Sequence, residues 1–200
     1  MKTDIVLAGV GGQGILSIAN VIGVAALSDN LYLKQAEVHG MSQRGGDVQS
    51  NLRISSEPIH SDLISLNSAD IVVSLEPLEC LRYLPYLSKT GWIVTNTTPF
   101  INIDNYPSVK EVMQELEKID NLVAFDMDEV AKNIGSPRSS NMVLLGAASP
   151  FIKIPVESIE KGILDFFKRK GDKICNLNLE AFRAGKETSM NFLKDKNIVL

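Results

Sequence analysis

Two loops carry the residue types and spacings in this sequence that could do chemistry. The first is Gly9-Val10-Gly11-Gly12-Gln13-Gly14, set between two apolar segments. G-x-G-x-x-G between a strand and a helix is a phosphate-binding pattern. The first glycine permits a tight turn, the second lets backbone approach an anion, and the third lets helix and strand pack closely. Free N–H groups at the helix start then face the anion, aided by a macrodipole worth about 0.3–1 kcal/mol per exposed charge. Glycines that serve close packing alone, with no ligand, are the alternative. The second loop is His39-Gly40-Met41-Ser42-Gln43-Arg44-Gly45-Gly46, an imidazole, an amide and a guanidinium among three glycines. Arg44 suits a phosphate or carboxylate held bidentately. Packing into a partner subunit, or plain solvated surface, also fits this loop.

Other chemistry is sparse. Cys80 and Cys175 are the only thiols, 95 residues apart, and no Cys-x-x-Cys occurs. One such chain cannot hold a four-thiolate iron–sulfur cluster or a cysteine-rich zinc site. His39 and His60 are too few for a metal site, and Ser17 and Ser139 lack hydrolase partners. Asp126, Asp128 and Glu129 put three carboxylates within four residues at a predicted helix start. That pattern reads as capping rather than as a metal cluster. Glu37, 23 residues after Gly14, is near the spacing of about 20 at which dinucleotide folds place a ribose-binding acid. A stand-alone NAD(P)- or flavin-binding enzyme is therefore a rival reading.

These loops need a scaffold. Residues 4–10 read as a buried strand, 15–27 as a helix apolar almost all round, and 31–38 as a second strand. Together they predict a βαβ unit with a right-handed crossover. Further strands are predicted at 48–54, 71–75, 91–96 and 122–125. Helices are predicted at 61–68, 77–87, 109–119, 139–152, 156–170 and 176–193. The alternation predicts an α/β, Rossmann-like, mostly parallel doubly wound sheet with C-terminal helices. Residues 48–54 are the candidate antiparallel strand. A single domain is expected over 1–200, its core at about 4–165 and a helical extension at about 166–200. Tyr83 and Tyr86 read as a packing stripe, Trp92 as core, and Phe166-Phe167 before Lys168-Arg169-Lys170 as an amphipathic helix with a basic last turn.

Composition excludes several partners. Lys and Arg number 20 against 24 Asp and Glu, a net charge of −4, which argues against a nucleic-acid grip. The longest apolar-rich stretch, residues 15–27, is 13 residues and too short to span a bilayer. With no signal-peptide pattern at the N-terminus, the expected location is cytoplasmic.

The strings AGVGGQGI (residues 8–15) and EVHGMSQRGGDVQSNLRI (37–54), with NTTPF (96–100) and SSNMVLLGA (139–147), resemble the gamma domain of 2-oxoacid:ferredoxin oxidoreductases. Within that family the pattern is most like the indolepyruvate branch, where the domain is a separate beta subunit of about this length. The resemblance implies a complex that decarboxylates a 2-oxoacid, passes electrons through iron–sulfur clusters to ferredoxin and transfers the acyl group to coenzyme A. A larger alpha subunit would carry thiamine diphosphate, Mg and the clusters, leaving no tightly bound cofactor and no catalytic residue in this chain. Gly9, Gly11, Gly12, Gln13, Gly14, Ser42, Gln43 and Arg44 would face the coenzyme A co-substrate or the partner. Glu37, His39, Gly40, Met41, Gly45 and Gly46 would line the subunit crevice. Pyruvate and 2-oxoglutarate branches share the pattern, and a homodimer of the isolated chain stays open.

Overall fold

The computed structural model describes residues 1–39, 45–101 and 103–198, with His39 described by its backbone alone. Six strands form one sheet: β1 (Lys2–Val10), β2 (Tyr32–His39), β3 (Asp47–Ser55), β4 (Ala69–Ser74), β5 (Leu87–Asn96) and β6 (Leu122–Phe125). Seven α-helices accompany them among the described residues: α1 (Ile15–Ser28), α2 (Pro77–Arg82), α3 (Val109–Leu116), α4 (Met127–Asn133), α5 (Ser140–Ala148), α6 (Val156–Phe167) and α7 (Asp172–Asp195). The spatial order is β2-β3-β1-β4-β5-β6. β1, β4, β5 and β6 run parallel, and β3 is antiparallel to both β1 and β2. The sheet is therefore mixed but mostly parallel, as the strand and helix alternation predicts.

The predicted βαβ unit is modified. β2 runs with β1, but β3 lies between them, pairing Val10 with Asp47 on one side and His39 with Val48 on the other. Only seven residues, 40–46, separate β2 from β3, too few for a parallel crossover, so β3 pairs antiparallel with both neighbours. Every β1 residue from Thr3 to Val10 is buried. Ile5 and Leu7 pack on one face with α1, α5 and α7, while Val6 and Ala8 pack on the other with Val72, Ile93 and Cys80. A central strand covered on both faces accounts for the unbroken apolar run. Its one acid, Asp4, is fully buried and clamped by the Arg53 guanidinium at 2.9 and 3.1 Å, with Lys2 at 2.7 Å.

The predicted helix at 61–68 is absent. Arg53 donates to the Ser61 and Leu63 carbonyls, which a helix would need for its own ladder. Asn67 and Ser68 donate instead to Pro85 and Tyr86, and Ile64 plugs the core. α2 stops at Arg82, because Pro85 lacks the N–H that a continuing helix requires. β5 accordingly starts at Leu87, earlier than expected. Tyr83 and Tyr86 pack with ring centroids 6.1 Å apart. Trp92 is half-buried at the edge of the core, 4.5 Å from the Phe151 ring.

α1 is apolar on nearly all sides because it is sandwiched: Gly23 meets Leu33 of β2, and Gly162 of α6 lies against the Val21 carbonyl. α7 belongs to the same core. Cys175, Ala181, Phe182 and Leu193 join the cluster around α1 and α5, and Ser189 donates to the Ala147 carbonyl at 3.0 Å. α5 and α7 cross in near backbone contact, since a Cβ on Gly185 would stand 2.0 Å from the Val143 carbonyl oxygen. No helix among the described residues is long and apolar enough to cross a membrane.

That crossing sets a test. Gly to Ala inside a helix ordinarily stabilises by about 0.5–1 kcal/mol, but the clash at Gly185 is with backbone. Gly185→Ala is expected to destabilise the chain by about 1–3 kcal/mol in urea unfolding, the usual cost of overpacking. A stabilised variant would show that α7 does not lie against α5.

Candidate functional site

The site is the crest formed by the carboxyl ends of the parallel strands, where open α/β sheets place ligands. The chain leaves β1 toward β2 on one side and later passes to β4 on the other, so the topological switch lies between β1 and β4. The glycine loop sits there. Gly14 takes φ 86° as the N-cap of α1, a left-handed conformation that glycine adopts without strain. A Cβ on Gly14 would also stand 2.7 Å from Asn141 Nδ2, and that amide donates to the Gly14 carbonyl. Gly12, with φ 104°, faces open space: a Cβ there would meet no atom within 4 Å. No side chain caps α1, and its first turn holds no acid. The first N–H groups of the helix are thus left without a side-chain acceptor.

Gln13 is turned inward. Its Oε1 accepts the Val10 N–H at 2.7 Å, and its Nε2 donates to the Leu75 carbonyl at 3.2 Å. The amide therefore staples the end of β1 to the end of β4 across the switch point. A Cβ on Gly9 would stand 2.9 Å from Gln13 Oε1, so that glycine makes room for the staple. The second loop meets the first through backbone. Gly11 N–H donates to the Gly46 carbonyl at 2.8 Å, and Gly45 N–H donates to the Gly11 carbonyl at 3.3 Å. Gly40, Met41, Ser42, Gln43 and Arg44 lie outside the described residues, as does the His39 side chain.

Glu37 does not join this cluster. It is exposed on β2 opposite Ser50, with β3 between it and β1. At about 4.8 Å per strand, it stands one strand further from the glycine loop than the dinucleotide fingerprint requires. The inserted β3 is the reason.

The remaining crest groups are held by one another. Glu76 is buried, accepts from the Tyr106 hydroxyl and caps α2 by accepting the Glu79 N–H at 2.7 Å. Burial raises the Glu79 carboxyl above the usual carboxylate range, opposed by the Arg82 guanidinium at 2.8 Å and reinforced by the charges of Glu76 and Asp47. Burial pushes the Tyr83 phenol up to about 12, with Glu79 adding to the shift. The Cys80 thiol, wholly buried, is likewise pushed up to about 12, so it is no nucleophile at neutral pH. Asp126 accepts the Glu129 N–H at 2.8 Å as the cap of α4. Asp128 accepts from Asn96 Nδ2 at 2.9 Å and from the Ser140 hydroxyl. Among the described residues no group of three or more His, Cys, Asp or Glu is placed to hold a metal ion.

Sequence reasoning missed the inward turn of Gln13, the Asn141 contact and the Glu76–Tyr106 pair. Only the first had a local signal, a long amide inside a glycine turn with buried backbone beside it.

A mixed, mostly parallel sheet with a glycine loop at its switch point, bonded through Gly11 to Gly45 and Gly46, defines a chain of the α/β class. Residues 4–188 match the family model described as pyruvate ferredoxin/flavodoxin oxidoreductase, and the chain belongs to that family. It is 36% identical over 192 residues to indolepyruvate oxidoreductase subunit IorB of Methanothermobacter thermautotrophicus, covering 92% of this chain and 96% of that one. It is 32% identical over 192 residues to 2-oxoglutarate synthase subunit KorC of Methanocaldococcus jannaschii, covering 94% and 95%. In structure it is similar to 2-oxoglutarate:ferredoxin oxidoreductase from Magnetococcus marinus with 2-oxoglutarate, coenzyme A and succinyl-CoA bound, with TM-score 0.74 and 25% identity. That match covers 95% of this chain but only 31% of the other, so the present chain spans about a third of that neighbour's length.

The Gln13 staple gives a direct test. Gln13→Ala strands the Val10 N–H in a part-buried position, and an unsatisfied donor of that kind costs about 1–3 kcal/mol. The chain alone is expected to lose that much stability in urea unfolding, without any ligand present. Unchanged stability would mean the amide does not hold the switch point together.

Proposed function

We propose that the chain is the small, thiol-poor subunit of a 2-oxoacid:ferredoxin oxidoreductase of the indolepyruvate kind. The observation that carries this is similarity over 92% of the chain to an indolepyruvate oxidoreductase subunit, with Gly45 and Gly46 bonded to Gly11 of the first glycine loop. The overall reaction takes an aryl pyruvate and coenzyme A to an arylacetyl-CoA, carbon dioxide and a proton. The two electrons released reduce two ferredoxins. A pyruvate or 2-oxoglutarate branch subunit is the second reading, favoured by the similarity to the 2-oxoglutarate synthase subunit.

On this reading the chain supplies shape rather than chemistry. Cys80 and Cys175 are buried in separate core clusters, so no iron–sulfur cluster fits here. The clusters, and thiamine diphosphate with its Mg, are assigned to a larger alpha subunit that also meets ferredoxin. Thiamine supplies the carbanion chemistry when bound there. This chain's own part is to present the crest. Gly9 and Gln13 keep the switch point closed, and Gly14 lets α1 start beside Asn141. Gly11 holds Gly45 and Gly46 in line, and Gly12 leaves an open approach for the coenzyme A phosphates or for the alpha subunit. Ser42, Gln43 and Arg44 would meet the same ligand, with Glu37, His39, Gly40 and Met41 toward the subunit crevice. The complex would work in the cytoplasm.

Co-expression with the companion subunit tests the proposal. The purified complex is expected to be brown and to reduce ferredoxin with indolepyruvate only when coenzyme A is present, while this chain alone is colourless and inactive. Failure of the two chains to associate, or turnover by this chain alone, would overturn it. A preference for pyruvate or 2-oxoglutarate over indolepyruvate would select the second reading.

A further inference from the structure

Away from the Gln13 staple, a cleft of about 550 Å³ opens between the α4–α5 connection and the α6–α7 junction. Ser17 enters it from the first turn of α1, Ser136, Arg138 and Ser139 from the connection, and Lys170 with Phe167 from the junction. The chain has 24 acidic residues against 20 basic ones, yet no Asp or Glu lines this cleft. Asp128, near the start of α5, is turned to Ser140 and Asn96 and is not part of the lining.

The two cations are available for a ligand. Arg53, Arg82 and Arg183 each hold a carboxylate, whereas Arg138 is exposed and has no acceptor among the described residues. Lys170 Nζ stands 5.3 Å from the centroid of the Phe167 ring, a contact that orients the ammonium without neutralising it. The buried hydroxyls of Ser136 and Ser139 bond each other at 2.7 Å. One O–H serves that bond, which leaves the other as a donor. Two unpaired cations, hydroxyl donors and an aromatic wall in one acid-free concavity match an oxyanion carried on a small organic molecule.

We infer that this cleft binds a phosphate-bearing small molecule through Arg138 and Lys170. The site stands without the subunit reading, because binding is measured without turnover; if the phosphate is that of coenzyme A, it deepens that reading. Asn141 also lines the cleft and bonds the Gly14 carbonyl, so one side chain links the cleft wall to the glycine loop.

Titration calorimetry of the full chain, with inorganic pyrophosphate and coenzyme A as separate probes at low ionic strength, tests this. Saturable one-to-one binding of at least one probe is expected, weakened roughly tenfold or more by Arg138→Ala and by Lys170→Ala, and largely restored by Arg138→Lys. Both positions are exposed, so the variants should fold, which thermal unfolding checks. Coenzyme A that binds and is displaced by pyrophosphate identifies the co-substrate as the source. Binding of pyrophosphate alone identifies a free phosphate-bearing effector. Absence of binding by both probes, or wild-type affinity in the Arg138→Ala, Lys170→Ala double variant, overturns the inference.

Discussion

β3 sits antiparallel between two strands that would otherwise be neighbours, and that pairing decides where every group at the crest falls. Because β3 starts at Asp47 beside Val10, the hairpin between β2 and β3 ends against the glycine loop. Gly11 then exchanges backbone hydrogen bonds with Gly45 and Gly46. Glycines about 30 residues apart in sequence become neighbours at the crest. The same insertion carries Glu37 to the outer strand and takes away the acid that a dinucleotide fold needs beside its glycine loop. One choice of strand order thus favours docking or phosphate contact at the crest over nicotinamide binding.

The crest contrasts with the rest of the molecule in where its polar groups are spent. Gln13, Glu76, Asp126 and Asp128 all bond to their own chain, and Cys80 is buried with its thiol held protonated. What faces outward at the glycine loop is backbone: the open side of Gly12 and the uncapped start of α1. Backbone N–H groups recognise phosphate or a partner's carbonyls, but they transfer neither electrons nor acyl groups. That distribution supports the proposed division of labour, in which a companion chain would hold the reactive groups and this one would fix geometry against it.

Much of this was legible from residues close in sequence. The apolar run of β1, the glycine turn and the all-round apolar α1 are local patterns whose cause is burial on both sheet faces. The cap at Asp126 and the first-turn proline Pro77 likewise announce themselves within a few residues. What the sequence does not show depends on distant partners. Arg53 takes the carbonyls of Ser61 and Leu63 where a helix was expected. Asn141 meets Gly14 across 127 residues, and Gly185 accepts the backbone of α5. The cleft at Arg138 and Lys170 is assembled from three separate stretches, so no spacing rule could have announced it. The strand order itself is a pairing decision that periodicity leaves open.

The central claim is that the joined glycine loops form the face this chain presents to its companion. Hydrogen–deuterium exchange of the chain, alone and in complex, reads that face directly. The account predicts that backbone amides at 11–16 and 45–48 slow markedly on assembly while those at the far end of the sheet, at 55–62, stay unchanged. A stable complex in which the glycine-loop amides exchange as fast as in the free chain would contradict it.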